Sequence, residues 1–341
     1  MSTVYVGLDV GSSHCHLVAV EADGRIIRNQ QIATSEVNLI QAFSEIKGEI
    51  RVHLEASELA PWVRSCIAPP AERVIISHPR TNAWIAKDAN KSDRIDAFKL
   101  AELLRLGRVH EVYYSEDQPR REFKQLVKHY DDLTSQQAKI KVKIKARLRT
   151  QGVIIRGRRA YGSVGRREVL DQVRSAQMRR VIEQLFELLD QVRGQQQVAR
   201  QMMVAAAKQF PEIARFQEVP GVGVIGACRF SGYIQTPHRF SSKRKLWRYC
   251  RLGISQRSSD GKLVGPPALD RAGHGRLKDV ARKAFDAARR CHEDNGFKRA
   301  YDQALAQTHN AVHARLTVMR KIVAVMRVMW LENAPYRDEM G

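Results

Sequence analysis

The first 33 residues leave the fewest options for the fold. VYVGLDVG is a nearly continuous apolar run ending in glycine, HCHLVAVEA alternates, Asp23 and Gly24 form a turn signal, and RIIRNQQIA alternates again. Period-two runs separated by turn residues read as strands joined by hairpins, so this stretch predicts a three-stranded meander. The pattern then changes. SEVNLIQAFSEIKG reads as a helix, RVHLEA as a strand, LAPWVRSCI as a helix and RVIISH as a strand, with helices from Arg80 to about Leu106. A meander followed by strands alternating with helices predicts a mixed α/β sheet whose parallel strands are internal.

Acids are placed unusually in this region. Asp9 lies inside the first, apolar strand, where an unpaired carboxylate would cost several kcal/mol of desolvation, on the order of a whole side chain's burial. Glu55 ends the strand RVHLEAS, and Asp93 and Asp96 open the helix NKSDRIDAFKLAELLR. A cap explains one acid there, since Ser92 or Asp93 can cap the helix and an acid suits the positive end of its dipole. It explains the pair less well, because residues three apart share a face and repel unless a cation lies between them. Four carboxylates from two strands and a helix are expected to converge at one sheet edge. Hard oxygen ligands suit Mg²⁺, and two such ions clamp the attacking and leaving oxygens of a phosphoryl transfer. Glu58, one turn beyond Glu55, is expected at the surface.

Residues 119–207 read as helical. Leu126, Tyr130, Leu133, Gln137, Ile140, Ile144 and Leu148 recur at threes and fours, as do Val181, Leu185, Leu188, Val192 and Met202, which predicts an antiparallel helical hairpin or coiled coil. IKVKIKARLR also alternates with period two, so a strand is the local alternative. On a helix, Lys139 and Lys143 flank one side of the Ile140/Ile144 seam and Lys141 and Lys145 the other. Arg147, Arg149, Arg156, Arg158 and Arg159 continue the basic tract, as a nucleic-acid surface or as solvated helix flanks.

The remaining third carries two glycine- and serine-rich stretches. VPGVGVIGA, with Gly221 and Gly223, is a turn whose backbone N–H groups suit a phosphate, or simply a joint between helices. SQRSSDGKLVGPP has the composition of a surface loop, with Ser258 and Ser259 between Arg257 and Lys262. A serine attacks phosphorus when the phosphodiester is held in line and its charge neutralised; the basic neighbours meet the second need, and a plain turn is the alternative.

Composition agrees with a nucleic-acid partner. Lys and Arg number 58 against 36 Asp and Glu, a formal net charge of +22, while 43% hydrophobic content supports two or three domains with real cores. No apolar run is long enough to span a bilayer, and the start shows no basic leader, so a cytosolic or nucleoid protein without membrane association is expected. Cys15, Cys66, Cys228, Cys250 and Cys291 are scattered and never form CxxC, which predicts reduced, buried fillers rather than disulfides or a zinc site.

GLDVGS with Asp9, HLEAS with Glu55 and NKSDRIDA with Asp93 and Asp96 resemble the DEDD tetrad of the ribonuclease-H-like, RuvC-type domain in the transposases of insertion-sequence family one-ten, which includes the Piv-type DNA invertases. VPGVGVIGA, residues 240–252, the SSDGK stretch and RAGHGRLK resemble that family's C-terminal transposase domain, and the central helices its coiled-coil linker. The resemblance covers nearly the whole chain. It implies a RuvC-like domain at 1–116, a coiled-coil linker at 117–207 and a mainly helical transposase domain at 208–341.

The family resemblance further implies Mg²⁺ held by Asp9, Glu55, Asp93 and Asp96, and a serine joined covalently to DNA. Ser259 is the best match and Ser258 the close second, with Arg257, Lys262 and Arg271 or His274 toward the phosphate. Implied partners are donor and target DNA, a structured bridge RNA that guides both, and a homo-oligomer, a dimer that becomes a tetramer in the synaptic complex. Two positions depart from the family pattern: EASE stands for EATG, and Asp260 where glycine commonly follows the serine. Three other classes fit parts of the sequence. A RuvC-like nuclease or junction resolvase would use metal and water without the serine; a sugar kinase or actin-like ATPase would need further phosphate loops; a non-catalytic scaffold has no reason to bury Asp9.

Overall fold

Alternation in β1, Thr3–Val10, sends Val4, Val6 and Leu8 to one face of a sheet and Tyr5, Gly7 and Asp9 to the other. This holds in the computed structural model of the chain, which describes residues 2–79, 92–259 and 262–340, with the backbone alone for 257–259 and 262–263. The chain divides into two compact units, Met1–Tyr114 and Ser115–Gly341.

In the first unit the expected meander is present. β1, β2 (His14–Val20) and β3 (Ile26–Ala33) are antiparallel neighbours, while β4 (Glu49–Glu55) and β5 (Arg73–Ser77) run parallel to β1 in the order β3-β2-β1-β4-β5. Ile50, Val52 and Leu54 of β4 join the β1 face that packs on α1 (Glu36–Ser44) and α2 (Ala60–Ile67) through Leu39, Phe43, Val63 and Ile67. The opposite face takes α3, Asp93–Arg105, whose Ala97 and Ala101 pack with Val18 and Val20. Glycine at position 7 makes this approach close: a Cβ there would lie 1.9 Å from the Ala97 carbonyl oxygen and 2.5 Å from the Ala101 nitrogen. Of the helices expected from Arg80 onward, residues 80–91 lie outside the described residues.

In the second unit, α4 (Gln118–Arg149) and α6 (Ala176–Ala207) are 32 residues each and form a helical hairpin. Their contacts run in opposite directions: Gln137 donates to Gln196 at 2.6 Å, and farther along α4 Ile140 and Ile144 share a core with Ile182, Phe186 and Leu189. The strand alternative for IKVKIKARLR is therefore excluded, since Ile140, Ile144 and Leu148 are buried on one face of α4. The second stripe holds at Leu185 and Val192, which pack partly buried against the hairpin core, and shifts by one residue at its other positions. Ile182, Phe186, Leu189 and Met203 are buried, whereas Val181, Leu188 and Met202 are exposed. Apolar pairs at successive positions, such as Val181–Ile182 and Met202–Met203, offer two candidate faces, and only packing against α4 chooses between them.

The root of the hairpin shares one core with the rest of the unit. Phe123 and Val127 of α4 and Met203 and Ala207 of α6 pack with α7 (Pro211–Phe216), α8 (Val224–Ile234), α9 (Lys243–Tyr249), α10 (Gly275–Arg290) and α12 (Ala311–Glu332), beside α11 (Gly296–Thr308). α5 (Ser163–Asp171) lies at the hairpin tip. Buried Arg229 of α8 donates to Asp131 of α4, whose other oxygen accepts from Tyr233 at 2.8 Å, so this ion pair is satisfied within the core. The stretch SQRSSDGKLVGPP, expected as a loop, is instead mostly a two-stranded ribbon of β6 (Ile254–Ser259) and β7 (Lys262–Leu269). Serine and glycine content masked a hairpin whose strands alternate too weakly to announce themselves. The cysteines are free, with Cys15, Cys66, Cys228 and Cys250 buried and Cys291 exposed, contrary to its expected burial. Among the described residues no helix is long and apolar enough to cross a membrane.

Candidate active site

Parallel pairing sets two acids side by side. β1 and β4 are in register through Leu8 and Leu54, so Asp9 and Glu55 follow at the same level, at the carboxyl ends of adjacent strands, on the face that receives α3. The first turn of α3 arrives at that same edge. Ser92 caps the helix by accepting from the Ile95 N–H at 3.3 Å, so neither aspartate is needed as a cap. Asp96 Oδ1 is buried without a hydrogen-bond partner. Glu58, by contrast, is exposed.

The electrostatics of Asp9 agree with this placement. Burial pushes the Asp9 carboxyl up to about 6, and the charges of Asp93, Asp96 and Glu55 push it the same way, against a hydrogen bond from the Val10 backbone. Like charges gathered around a half-buried carboxylate are the arrangement in which a cation is the missing partner. The donors are all hard oxygens, and one of them is an orphaned buried atom, which suits a divalent ion such as Mg²⁺. Among the described residues, no three Asp, Glu, His or Cys side chains lie close enough together to enclose an ion without adjustment.

Two residues that sequence reasoning did not single out hold this edge together. His53, two positions before Glu55 on the same face, is fully buried. Its Nδ1 lies 2.8 Å from the Leu100 carbonyl of α3 and its Nε2 2.8 Å from Ser77 Oγ of β5. A carbonyl only accepts, so Nδ1 carries the proton; burial lowers the ring's pKa, leaving it neutral, and Nε2 accepts from the serine. His53 thus bolts α3 to the sheet. Gly7 is the second, by the close approach described above. The signal for both was available in GLDVG and HLE, a glycine and a histidine inside apolar strands, but without α3 in place neither had an evident partner.

In the second unit Ser259 pairs in register with Lys262, Ser258 with Leu263 and Arg257 with Val264. Asp260 and Gly261, between the strands, lie outside the described residues. The candidate nucleic-acid contacts divide. Lys139, Lys143, Arg147, Arg149, Arg156, Arg158 and Arg159 are exposed on the hairpin; Lys141 and Lys145 are half-buried. Lys141 lies over the Tyr161 ring, its pKa lowered by burial and then by Arg193 and Arg158. Arg159 is paired with Glu168 at 2.5 Å. Gly221 has a structural reason to be glycine: its φ is 83°, and a Cβ would lie 2.1 Å from the Ala284 carbonyl oxygen of α10. Gly223 faces open space and precedes the first turn of α8.

Two family models match the chain. Residues 6–151 match the DEDD transposase of the IS110 type, and residues 213–302 match the transposase IS116/IS110/IS902 family. The chain belongs to the IS110 family of DEDD transposases. The first matched segment contains all four carboxylates and the second contains the serine ribbon. The transposase is therefore an enzyme that acts on DNA, and its five-stranded mixed sheet is consistent with a RuvC-like fold. No curated protein sequence gave a match to the chain.

Proposed function

We propose that the transposase cuts and exchanges DNA strands with two pieces of machinery: a divalent metal centre on Asp9, Glu55, Asp93 and Asp96, and a serine of the β6–β7 ribbon that becomes joined to DNA. The observation that carries this reading is the placement of the acids: Asp9 and Glu55 stand level at the ends of adjacent parallel strands on the face that receives α3, whose first turn carries Asp93 and Asp96, with Asp96 Oδ1 buried and unpartnered. Mg²⁺ bound there supplies Lewis-acid activation of a phosphodiester. The protein's own part is to hold the oxygens at the sheet edge: Asp9 and Glu55 from rigid strands, Asp93 and Asp96 from a helix pinned by His53 and Gly7. Attack by the serine hydroxyl on phosphorus forms the serine–phosphate bond and releases a DNA hydroxyl. The phosphodiester energy is thus retained, and the released hydroxyl of a second strand can religate. Ser259 is assigned the attack and Ser258 the alternative, with Arg257 and Lys262 beside them in the ribbon.

The exposed basic flanks of the hairpin suit a structured guide RNA, and donor and target DNA complete the substrate set. A homo-oligomer is supported by apolar side chains left exposed on the hairpin, among them Val142 at 66% and Met202 at 51%. Trapping wild type, Ser258→Ala and Ser259→Ala on labelled donor DNA tests the assignment. A protease-sensitive adduct in wild type that is lost in Ser259→Ala is expected. Loss in Ser258→Ala alone transfers the role by one residue, and efficient nicking with no adduct in any of the three would replace the serine with water.

A further inference from the structure

Where the ribbon leaves the helices of the second unit, α9 and α12 flank an open cavity of about 420 Å³, within the roughly 300–1,000 Å³ typical of small-ligand sites. Its apolar wall is the Trp247 indole together with Gly253 and Ile254, the residue that starts β6. Its polar wall is Arg244, Lys245 and Arg248 of α9 with Arg320 of α12. None of the described residues that line the cavity is acidic.

Several contacts hold these walls in shape. Trp247 is half-buried against the core of the second unit, and its Nε1–H donates to the Arg320 carbonyl at 3.0 Å. The Arg320 guanidinium stands 5.4 Å from the centre of the indole, and its Nε–H donates to the Leu252 carbonyl at 2.7 Å, which ties α12 to the segment that leads into β6. Gly253 leaves no room for a side chain, since a Cβ would lie 2.5 Å from Arg248 Cγ. The ring and one cation are thus fixed in place. The other cations face water: Arg244 and Lys245 are exposed and in no ion pair among the described residues, and Arg248, also exposed, reaches Asp270 at 3.3 Å through Nε. An indole in a cavity wall offers a surface for a planar ring system, and cations at the rim offer partners for phosphate oxygens. A nucleotide carries both groups on one skeleton. A base within a duplex has its faces covered by its stacked neighbours, so a nucleotide that reaches the indole must be unpaired. DNA is the substrate of this family, and strand cleavage and exchange expose unpaired nucleotides.

We propose that this cavity holds one unpaired nucleotide of a DNA strand passing the base of the β6–β7 ribbon, with its base against the Trp247 indole and its flanking phosphates on Arg244 and Lys245. Arg248 and Arg320 close the polar side. The cavity seats the strand whether or not a ribbon serine reacts with it.

The test measures binding of the full-length protein in EDTA, so that no cleavage intervenes, to single-stranded dT oligomers, abasic oligomers of the same length, duplex DNA and rU oligomers, each across a salt series. Wild type is expected to bind the dT strand at least about fivefold more tightly than the abasic strand, the factor contributed by one stacked base. Trp247→Leu should lose that preference. Arg244→Gln with Lys245→Gln, both exposed, should lower the log–log salt slope on dT by about 1.4, the contribution of two single-strand phosphates, and leave the slope on duplex DNA unchanged. Lys208→Gln, at an exposed position ending α6, is the control and should change neither quantity. Equal binding of dT and abasic strands by wild type, a preference for dT that survives Trp247→Leu, an unchanged dT slope in the double variant, or an equal fall on duplex DNA would overturn the proposal. A loss on rU without one on dT would overturn it as well, by making the occupant an RNA nucleotide.

Discussion

Gly7→Ala is a one-methyl change that should dismantle the metal edge from beneath. The new Cβ would stand 1.9 Å from the Ala97 carbonyl oxygen, where ordinary contact begins near 3.4 Å, so α3 must retreat by roughly 1.5 Å. Both atoms that it meets, Ala97 O and Ala101 N, are backbone within a helix, so no side chain can rotate aside. Overpacking of this kind costs about 1–3 kcal/mol. For a unit of Met1–Tyr114 that corresponds to a fall in melting temperature of about 4–8 °C per kcal/mol. The retreat also draws Asp93 and Asp96 away from Asp9, whose pKa should fall toward the ordinary carboxylate range as their charges recede. Scanning calorimetry of the full chain, resolving the transition of the first unit, and carboxylate titration by nuclear magnetic resonance read the two effects. An unchanged first transition together with an unchanged Asp9 titration would refute the close packing of α3 on β1.

Asp9→Asn should stabilise the first unit near pH 7.5 by about 1–2 kcal/mol after allowance for solvent screening, and should abolish cleavage. The sign follows from the raised pKa: the wild-type carboxyl loses stability as pH rises from 3.8 through about 6, so the variant's advantage should disappear below pH 4 in a pH series of thermal melts. His53→Ala removes the bolt between β4, β5 and α3 and leaves the Leu100 carbonyl and Ser77 hydroxyl without that partner; a loss of about 3 kcal/mol in chemical denaturation is expected, with cleavage falling further than stability alone accounts for. Arg156→Gln with Arg158→Gln, both exposed on the hairpin tip, should reduce the log–log salt slope of RNA binding by about 1.4 to 1.8, and a slope that does not move would make these residues solvated flanks.

The first unit was legible because its signals are local and periodic. Alternation placed Asp9 and Glu55 on one face of neighbouring strands, and a serine followed by two acids three apart marked the mouth of α3. Gly7 and His53 were not legible as supports, since each acts on a helix about 50 to 90 residues away in sequence. The second unit gave up less. Its long helices show threes and fours, yet doublets such as Val181–Ile182 let the stripe slip by one position until α4 selects the buried partner. The ribbon escaped notice because serine, glycine and proline are poor strand formers, and cross-strand pairing overrides that preference.

The most direct test of the carboxylate centre is cleavage of labelled element-end DNA as a function of Mg²⁺ concentration by wild type, Asp9→Asn and Asp96→Asn, with DNA binding measured in the same reactions. Wild-type cleavage should rise from zero with Mg²⁺ and saturate, while both variants bind DNA within about twofold of wild type and cut none, since the basic surface that meets phosphates is left intact. Cleavage by either variant at the wild-type rate and Mg²⁺ dependence would contradict a catalytic role for the acids that converge on the first sheet.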